Sequence, residues 1–138
     1  MARPKGSSLE QVRAWLTARS QAADVVFFVI ADQTSNHALG YVQLLDMDLS
    51  HGSGRLGICI GPQAQGRGCG SETLTLLANY VHEVFGLRKI VLEVLASNDG
   101  AIRLYQRHGY REVGKWQQHF RTLSDYADVV IMEKLLTP

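Results

Sequence analysis

A run of glycines between a strand-like segment and a helical one constrains this chain more than any other feature. Residues 55–60 place Leu56, Ile58 and Ile60 on one face. Gly61, Gly66, Gly68 and Gly70 follow, and Leu74, Leu77, Ala78, Val81 and Phe85 then recur at helical spacing. A strand, a glycine loop and a helix in that order turn unpaired amide N–H groups toward an anion, and glycine lets the backbone come close to a phosphate. Ser71 offers a hydroxyl and Arg67 a charge at the same turn. The segment predicts a phosphate-bearing ligand, against the plainer reading of a flexible turn before an ordinary helix.

Two nucleotide-binding patterns nearly fit and fail on chemistry. Gly61 to Gly68 has the glycine spacing of a P-loop, but Arg67 stands where the lysine belongs and Gly68 where a hydroxyl would hold Mg²⁺. Gly66-Arg67-Gly68-Cys69-Gly70-Ser71 starts like a dinucleotide fingerprint. It lacks the third glycine, and no acidic residue closes the next strand as a ribose ligand, since Glu93 lies inside it.

The rest of the chain reads as a mixed α/β (α+β) domain. Ser7 and Ser8 precede Leu9, Val12, Trp15 and Leu16, an amphipathic helix ending near Arg19. Residues 25–31 and 38–45 form a hairpin, and residues 55–60 extend it to a three-strand meander. Gly86 stands at the helix C-cap position after Phe85. Residues 89–95 are a strand, Asn98 and Asp99 begin a short helix closed by Gly109, and residues 110–119 and 127–135 are two final strands around Thr122-Leu123-Ser124-Asp125.

At 138 residues there is room for one core, so residues 1–138 are expected to form a single domain. A net charge of +1 provides no field for nucleic acid, and apolar runs no longer than residues 25–31 suggest no membrane span. Cys59 and Cys69 read as two free, buried thiols in a reducing compartment. The polar start at Met1-Ala2-Arg3-Pro4-Lys5 suggests no secretory leader, so a cytoplasmic location is expected. The histidines share no ligand spacing with the cysteines or carboxylates, so no metal is expected.

Gln65-x-x-Gly68-x-Gly70 resembles the pyrophosphate signature of the GNAT acetyltransferase superfamily. The resemblance continues through residues 92–105 and Gly109-Tyr110, where Asn98, Ala101, Tyr105 and a glycine–aromatic pair match the landmarks of the family's second block. It covers residues 55–135. It implies a mixed, mostly antiparallel sheet flanked by helices, here apparently without the usual first strand and helix, through absence or because the chain is a shortened version of a longer one. Residues 110–132 resemble most the branch of ribosomal-protein N-terminal and amino-sugar acetyltransferases.

By this resemblance the chain is an N-acetyltransferase moving an acetyl group from acetyl-CoA directly to a primary amine, with neither cysteine as nucleophile. Gln65, Gly66, Arg67, Gly68, Cys69, Gly70 and Ser71 would hold the CoA pyrophosphate. The backbone of Ile58 and Ile60 would pair with pantetheine as with an added strand, which requires an open sheet edge. Asn98 and Ala101 match positions beside pantetheine, and Asn98 also serves as an N-cap. Arg103 and Arg107 either meet the 3′-phosphate or form a solvated basic face.

Tyr105 occupies the position of the general acid that protonates the leaving thiolate; its other role is an aromatic core anchor. Glu93 matches a water-mediated base if burial raises its pKa, and is otherwise a solvent-facing strand residue. Arg55 is basic where relatives often carry an acid. His119 either binds or deprotonates the acceptor or is an ordinary strand histidine. Protein N-termini, amino sugars and small amines all remain open as acceptors. The alternative function is a non-catalytic acyl-CoA-binding or interaction module of the same fold. An unpaired first edge would invite a second copy, giving a homodimer.

Overall fold

The computed structural model describes residues 10, 13, 14 and 24–136. The helix expected over residues 7–19, and with it the missing first strand and helix, lies outside the described residues, although Glu10, Arg13 and Ala14 are helical. The described elements run β1 (Val26–Ala31), β2 (Ala38–Asp48), β3 (Ser53–Ile60), a 3₁₀ turn (Pro62–Ala64), α1 (Cys69–Phe85), β4 (Lys89–Leu95), α2 (Asp99–Arg107), β5 (Arg111–Arg121) and β6 (Tyr126–Leu135). The strands form one sheet in the order β1-β2-β3-β4-β6-β5. Every neighbouring pair is antiparallel except β3 with β4, so the sheet is mixed and mostly antiparallel, as expected.

The core grows from one row of side chains across this sheet. Val26 pairs with Leu44, Leu44 with Leu56, Leu56 with Leu92, and Leu92 with Met132. Residues directly opposite share a face, and this face receives Leu74, Leu77, Ala78 and Val81 of α1 and Tyr105 of α2 in one cluster. The i, i+3, i+4, i+7 stripe of α1 is thus its buried side. Gly86 ends that helix at φ 68°, its N–H donating to the His82 carbonyl while Leu87 N–H reaches back to Val81, which turns Leu87 into the core.

Pairing within the sheet is unequal, and the inequality makes the fold useful. β3 stays with β2 as far as Ile60, and β4 stays with β6 as far as Leu95. Between β3 and β4, however, pairing covers only Ser53 to Leu56 against Lys89 to Leu92. Each strand then follows its outer neighbour, and the sheet forks. The closed end is fastened by Gly52, whose carbonyl accepts from Arg88 N–H at 2.8 Å and Lys89 N–H at 3.1 Å, while Arg88 Nε donates to the His51 carbonyl.

Three strand boundaries differ from the sequence reading by two residues or more. β2 runs on to Asp48 through a bulge that puts Asp46 at φ 52°; its polar Asp46-Met47-Asp48 end hides the strand pattern. β3 begins at Ser53 rather than Arg55, because backbone pairing to β2 and β4 holds it there despite the glycine at 54. β5 reaches Arg121 because the turn at Thr122 to Asp125 closes later, with Thr122 N–H on the Asp125 carbonyl at 2.7 Å. The cysteines are also corrected: both are free, but Cys59 is exposed and Cys69 only partly covered. Cys59 alternates with Ile58 and Ile60 and falls on the other face of the strand.

Leu56 and Leu92 form the last rung before the fork and are 4 % and 1 % exposed. Replacing either with alanine is expected to lower stability by about 2–5 kcal/mol, the usual penalty for an aliphatic core truncation. Urea unfolding of the variants checks this.

Candidate active site

The fork exposes backbone inside the sheet. Gly61 N–H donates to the Leu39 carbonyl at 2.7 Å, so the odd-numbered residues of β3 point their polar groups at β2. The N–H and C=O groups of Ile58 and Ile60 point the other way, into the gap that β4 has left. This is the open edge that an added strand requires. Gln65 closes its far end by donating from Nε2 to the Ile60 carbonyl at 3.1 Å.

The glycine turn follows at once. Gly66 lies at φ 77° and Gly68, the N-cap of α1, at φ 79°, a left-handed conformation that a β-carbon disfavours. The amides of Gly66 to Ser71 make no hydrogen bond to another described residue, so the end of α1 keeps its donors for an anion. Gly70 serves packing instead: a β-carbon there would come within 3.1 Å of Leu104 Cδ2 on α2 and 3.4 Å of Ile60 Cδ1. Arg67 is held from the side, its guanidinium 3.2 Å from Asp32 Oδ2 in the β1–β2 turn. The Ser35 and Thr34 amides, and then Arg67, draw the Asp32 carboxyl down to about 2.

α2 supplies the side chains. Asn98 caps it, accepting from Ala101 N–H at 3.2 Å, so the expected capping role is in place. Ala101 is partly covered, while Arg103 and Arg107 are exposed. Tyr105 is 8 % exposed and meets the Tyr110 ring edge-on at 5.7 Å. Its hydroxyl makes no hydrogen bond to a described residue, and burial pushes the phenol's pKa up. The phenol therefore keeps its proton throughout the neutral range. Tyr105 is therefore a core anchor, and its phenol is in the protonated form that a general acid would need.

Of the two readings of Glu93, the solvent-facing one holds. It is exposed, since β4 buries Ile90, Leu92 and Val94 on one face and turns Glu93 to the other. The burial that was to tune it is absent. In its place stands Arg55, whose Nη1 is 3.6 Å from Glu93 Oε2 and whose Nε and Nη2 bind Asp46 Oδ2 at 3.1 and 2.9 Å. Arg55 thus links two carboxylates beside the fork. His119 is exposed as well and packs on the Trp116 ring at 4.5 Å, across the strand bulge between Trp116 and Phe120. It shares a shallow pocket with Lys115 and Gln117, and no contact joins it to Glu93 or Tyr105.

Sequence reasoning missed three contacts: Asp46 with Arg55, Asp32 with Arg67, and Ser71 Oγ with His108 Nε2 at 2.6 Å. The last two span 35 and 37 residues and leave no periodic trace. A groove of about 750 Å³ lies between β1 and α1. It takes in Phe28, Tyr80, Arg67 and Cys69 but none of Ile58, Tyr105 or Glu93, so it borders the turn without being part of the fork. Among the described residues no helix is long and apolar enough to cross a membrane.

Comparison with known proteins agrees with this geometry. The acetyltransferase (GNAT) domain family matches residues 1–111. A spermidine N(1)-acetyltransferase of Vibrio cholerae is 31 % identical over 102 residues, 74 % of this chain and 58 % of its own length. An Escherichia coli spermidine N(1)-acetyltransferase is 28 % identical over 93 residues, 67 % of this chain and 50 % of its own length. The chain thus spans little more than half of these relatives.

Among solved structures, the V. cholerae spermidine N-acetyltransferase in complex with CoA and spermine superposes with a TM-score of 0.88. The two share 26 % identity over 96 % of this chain and 78 % of that one. These relatives correct the branch to which residues 110–132 were likened: they are polyamine enzymes rather than ribosomal-protein or amino-sugar ones. β5 is exposed along nearly its whole length, so the core constrains few of its side chains. The family match takes in the fork, the glycine turn and α2, and the chain belongs to the GNAT acetyltransferase family.

Proposed function

We propose that this chain transfers the acetyl group of acetyl-CoA to a primary amine, and that the amine is a polyamine of the spermidine and spermine class. The observation that carries the reading is the fork: an open strand edge at Ile58 and Ile60 leads directly into unpartnered amides at the N-terminus of α1. Pantetheine is a chain of amides that can hydrogen-bond along such an edge, and its pyrophosphate then falls at Gly66 to Ser71. The named acceptors of the relatives support a polyamine. So does the local charge, because Asp46 and Glu93 together outnumber Arg55 and leave a net negative cluster for a cation.

The chemistry follows from these placements. The neutral amine nitrogen attacks the thioester carbonyl, the tetrahedral oxyanion collapses, and the C–S bond breaks. Tyr105 gives its proton to the departing thiolate; burial keeps that proton in place beforehand. Glu93, on the solvent side of β4, takes the ammonium proton through water, and Arg55 fixes the position of its carboxylate.

Thiol release from acetyl-CoA is expected with spermidine and spermine, and more weakly with N-terminal peptides and amino sugars. CoA binding with no release across that panel would favour the non-catalytic module. Tyr105→Phe is expected to lower kcat by about 10²-fold or more, the ordinary contribution of a general acid. It should leave thermal stability close to wild type, since the hydroxyl holds no partner among the described residues. Gly68→Val is expected to raise the KM for acetyl-CoA about tenfold: the left-handed N-cap costs a β-branched residue roughly 1–2 kcal/mol, and the turn relaxes away from the anion.

A further inference from the structure

Ser71 and His108 make a 2.6 Å contact that neither the sheet nor the catalytic assignments require. Ser71 lies in the first turn of α1, among the amides assigned to the pyrophosphate, and His108 is the C-cap of α2, the helix that carries Tyr105. The two helices meet closely here, because Gly70 admits Leu104 to the start of α1. A serine hydroxyl has one proton. If it donates that proton to the imidazole, it has none for a phosphate; if the imidazole donates to Oγ, the proton is free to point at the anion. Which of the two holds depends on His108.

We infer that His108 is a positioning residue for the CoA pyrophosphate: in the complex its Nε2–H donates to Ser71 Oγ, and Ser71 in turn donates to a pyrophosphate oxygen. The inference rests on the CoA reading of the turn. The groups facing the ring are Ser71 from α1, Arg107 from its own helix and Lys134 from β6. Desolvation first, then the charges of Lys134 and Arg107, hold the imidazole below its ordinary value, so the free protein carries it neutral at pH 7. A bound pyrophosphate adds negative charge on the Ser71 side and favours the protonated ring. Binding and protonation of His108 are thereby linked: the anion raises the ring's proton affinity, and the anion binds more tightly as pH falls through the ring's titration.

Dephospho-CoA is the probe, because its pyrophosphate diester stays doubly ionised and constant in charge over the relevant range whereas the 3′-phosphate of CoA titrates there. Calorimetry with wild-type protein is expected to show affinity rising about threefold to tenfold from about pH 8 to about pH 5.5. His108→Gln keeps a neutral donor at the same place and is expected to bind with no such slope. His108→Ala is expected to bind more weakly throughout. In turnover, the alanine effect falls on the KM for acetyl-CoA rather than on kcat, whereas a merely structural seam would displace Tyr105 and lower kcat. The His108 ring signal in NMR should titrate at higher pH with saturating dephospho-CoA than without it. An unchanged ring titration in a protein that binds the probe, or a His108→Gln slope equal to wild type, overturns the inference. Failure of the wild-type protein to bind dephospho-CoA or CoA at any pH overturns the reading of the turn itself.

Discussion

The rung formed by Leu56 and Leu92 holds the two halves of this sheet together at the point where they are about to part. On one side β1, β2 and β3 form an antiparallel meander; on the other β4, β6 and β5 form a second antiparallel group. Their junction is parallel and short, so it gains little from hydrogen bonding alone and depends on the side chains that cross it. The row from Leu44 through Leu56 and Leu92 to Met132 supplies that connection, with α1 laid over it. Truncating this row would loosen the core and also the angle at which the fork opens. The fork angle, in turn, decides whether Ile58 and Ile60 present a usable edge.

The open strand edge, the glycine turn and the start of α1 follow one another where the fork opens. The glycine turn is placed there because β3 ends at Ile60 and α1 begins at Cys69, with Gln65 tying the intervening loop back to the strand. Tyr105 arrives from across the chain on α2, seated by burial against Tyr110 and by the close approach of Leu104 to Gly70. An apolar packing requirement at Gly70 and a conformational one at Gly68 therefore act within one turn of helix. A single short segment thus carries both the free N-terminal amides of α1 and the packing contact that seats α2.

The two faces of the sheet treat their polar residues differently. Tyr105 is tuned by exclusion of water, whereas Glu93 stands in solvent and is governed by Arg55 and, through it, Asp46. The phenol is thus fixed by packing, and the Glu93 carboxylate by an ion network open to solvent and salt. Arg55 joins Asp46 and Glu93 in one cluster.

Much of this was legible in the sequence where the signal is local. The stripe from Leu74 to Phe85, the glycine at 86, the capping Asn98 and the glycine turn before α1 follow from periodicity and backbone sterics, which act over a few residues. Contacts between distant segments were not legible. The exposure of Glu93 depends on which face of β4 meets α1, the partners of Arg55 and Arg67 on a bulge in β2 and a turn after β1, and the pairing of Ser71 with His108 on how two helices approach. The chain alone determined that a glycine turn sits between a strand and a helix N-terminus, because glycine conformation and helix polarity are local properties. Only the tertiary structure decided that the strand edge beside it is open, because the gap exists through β3 and β4 each following a different neighbour.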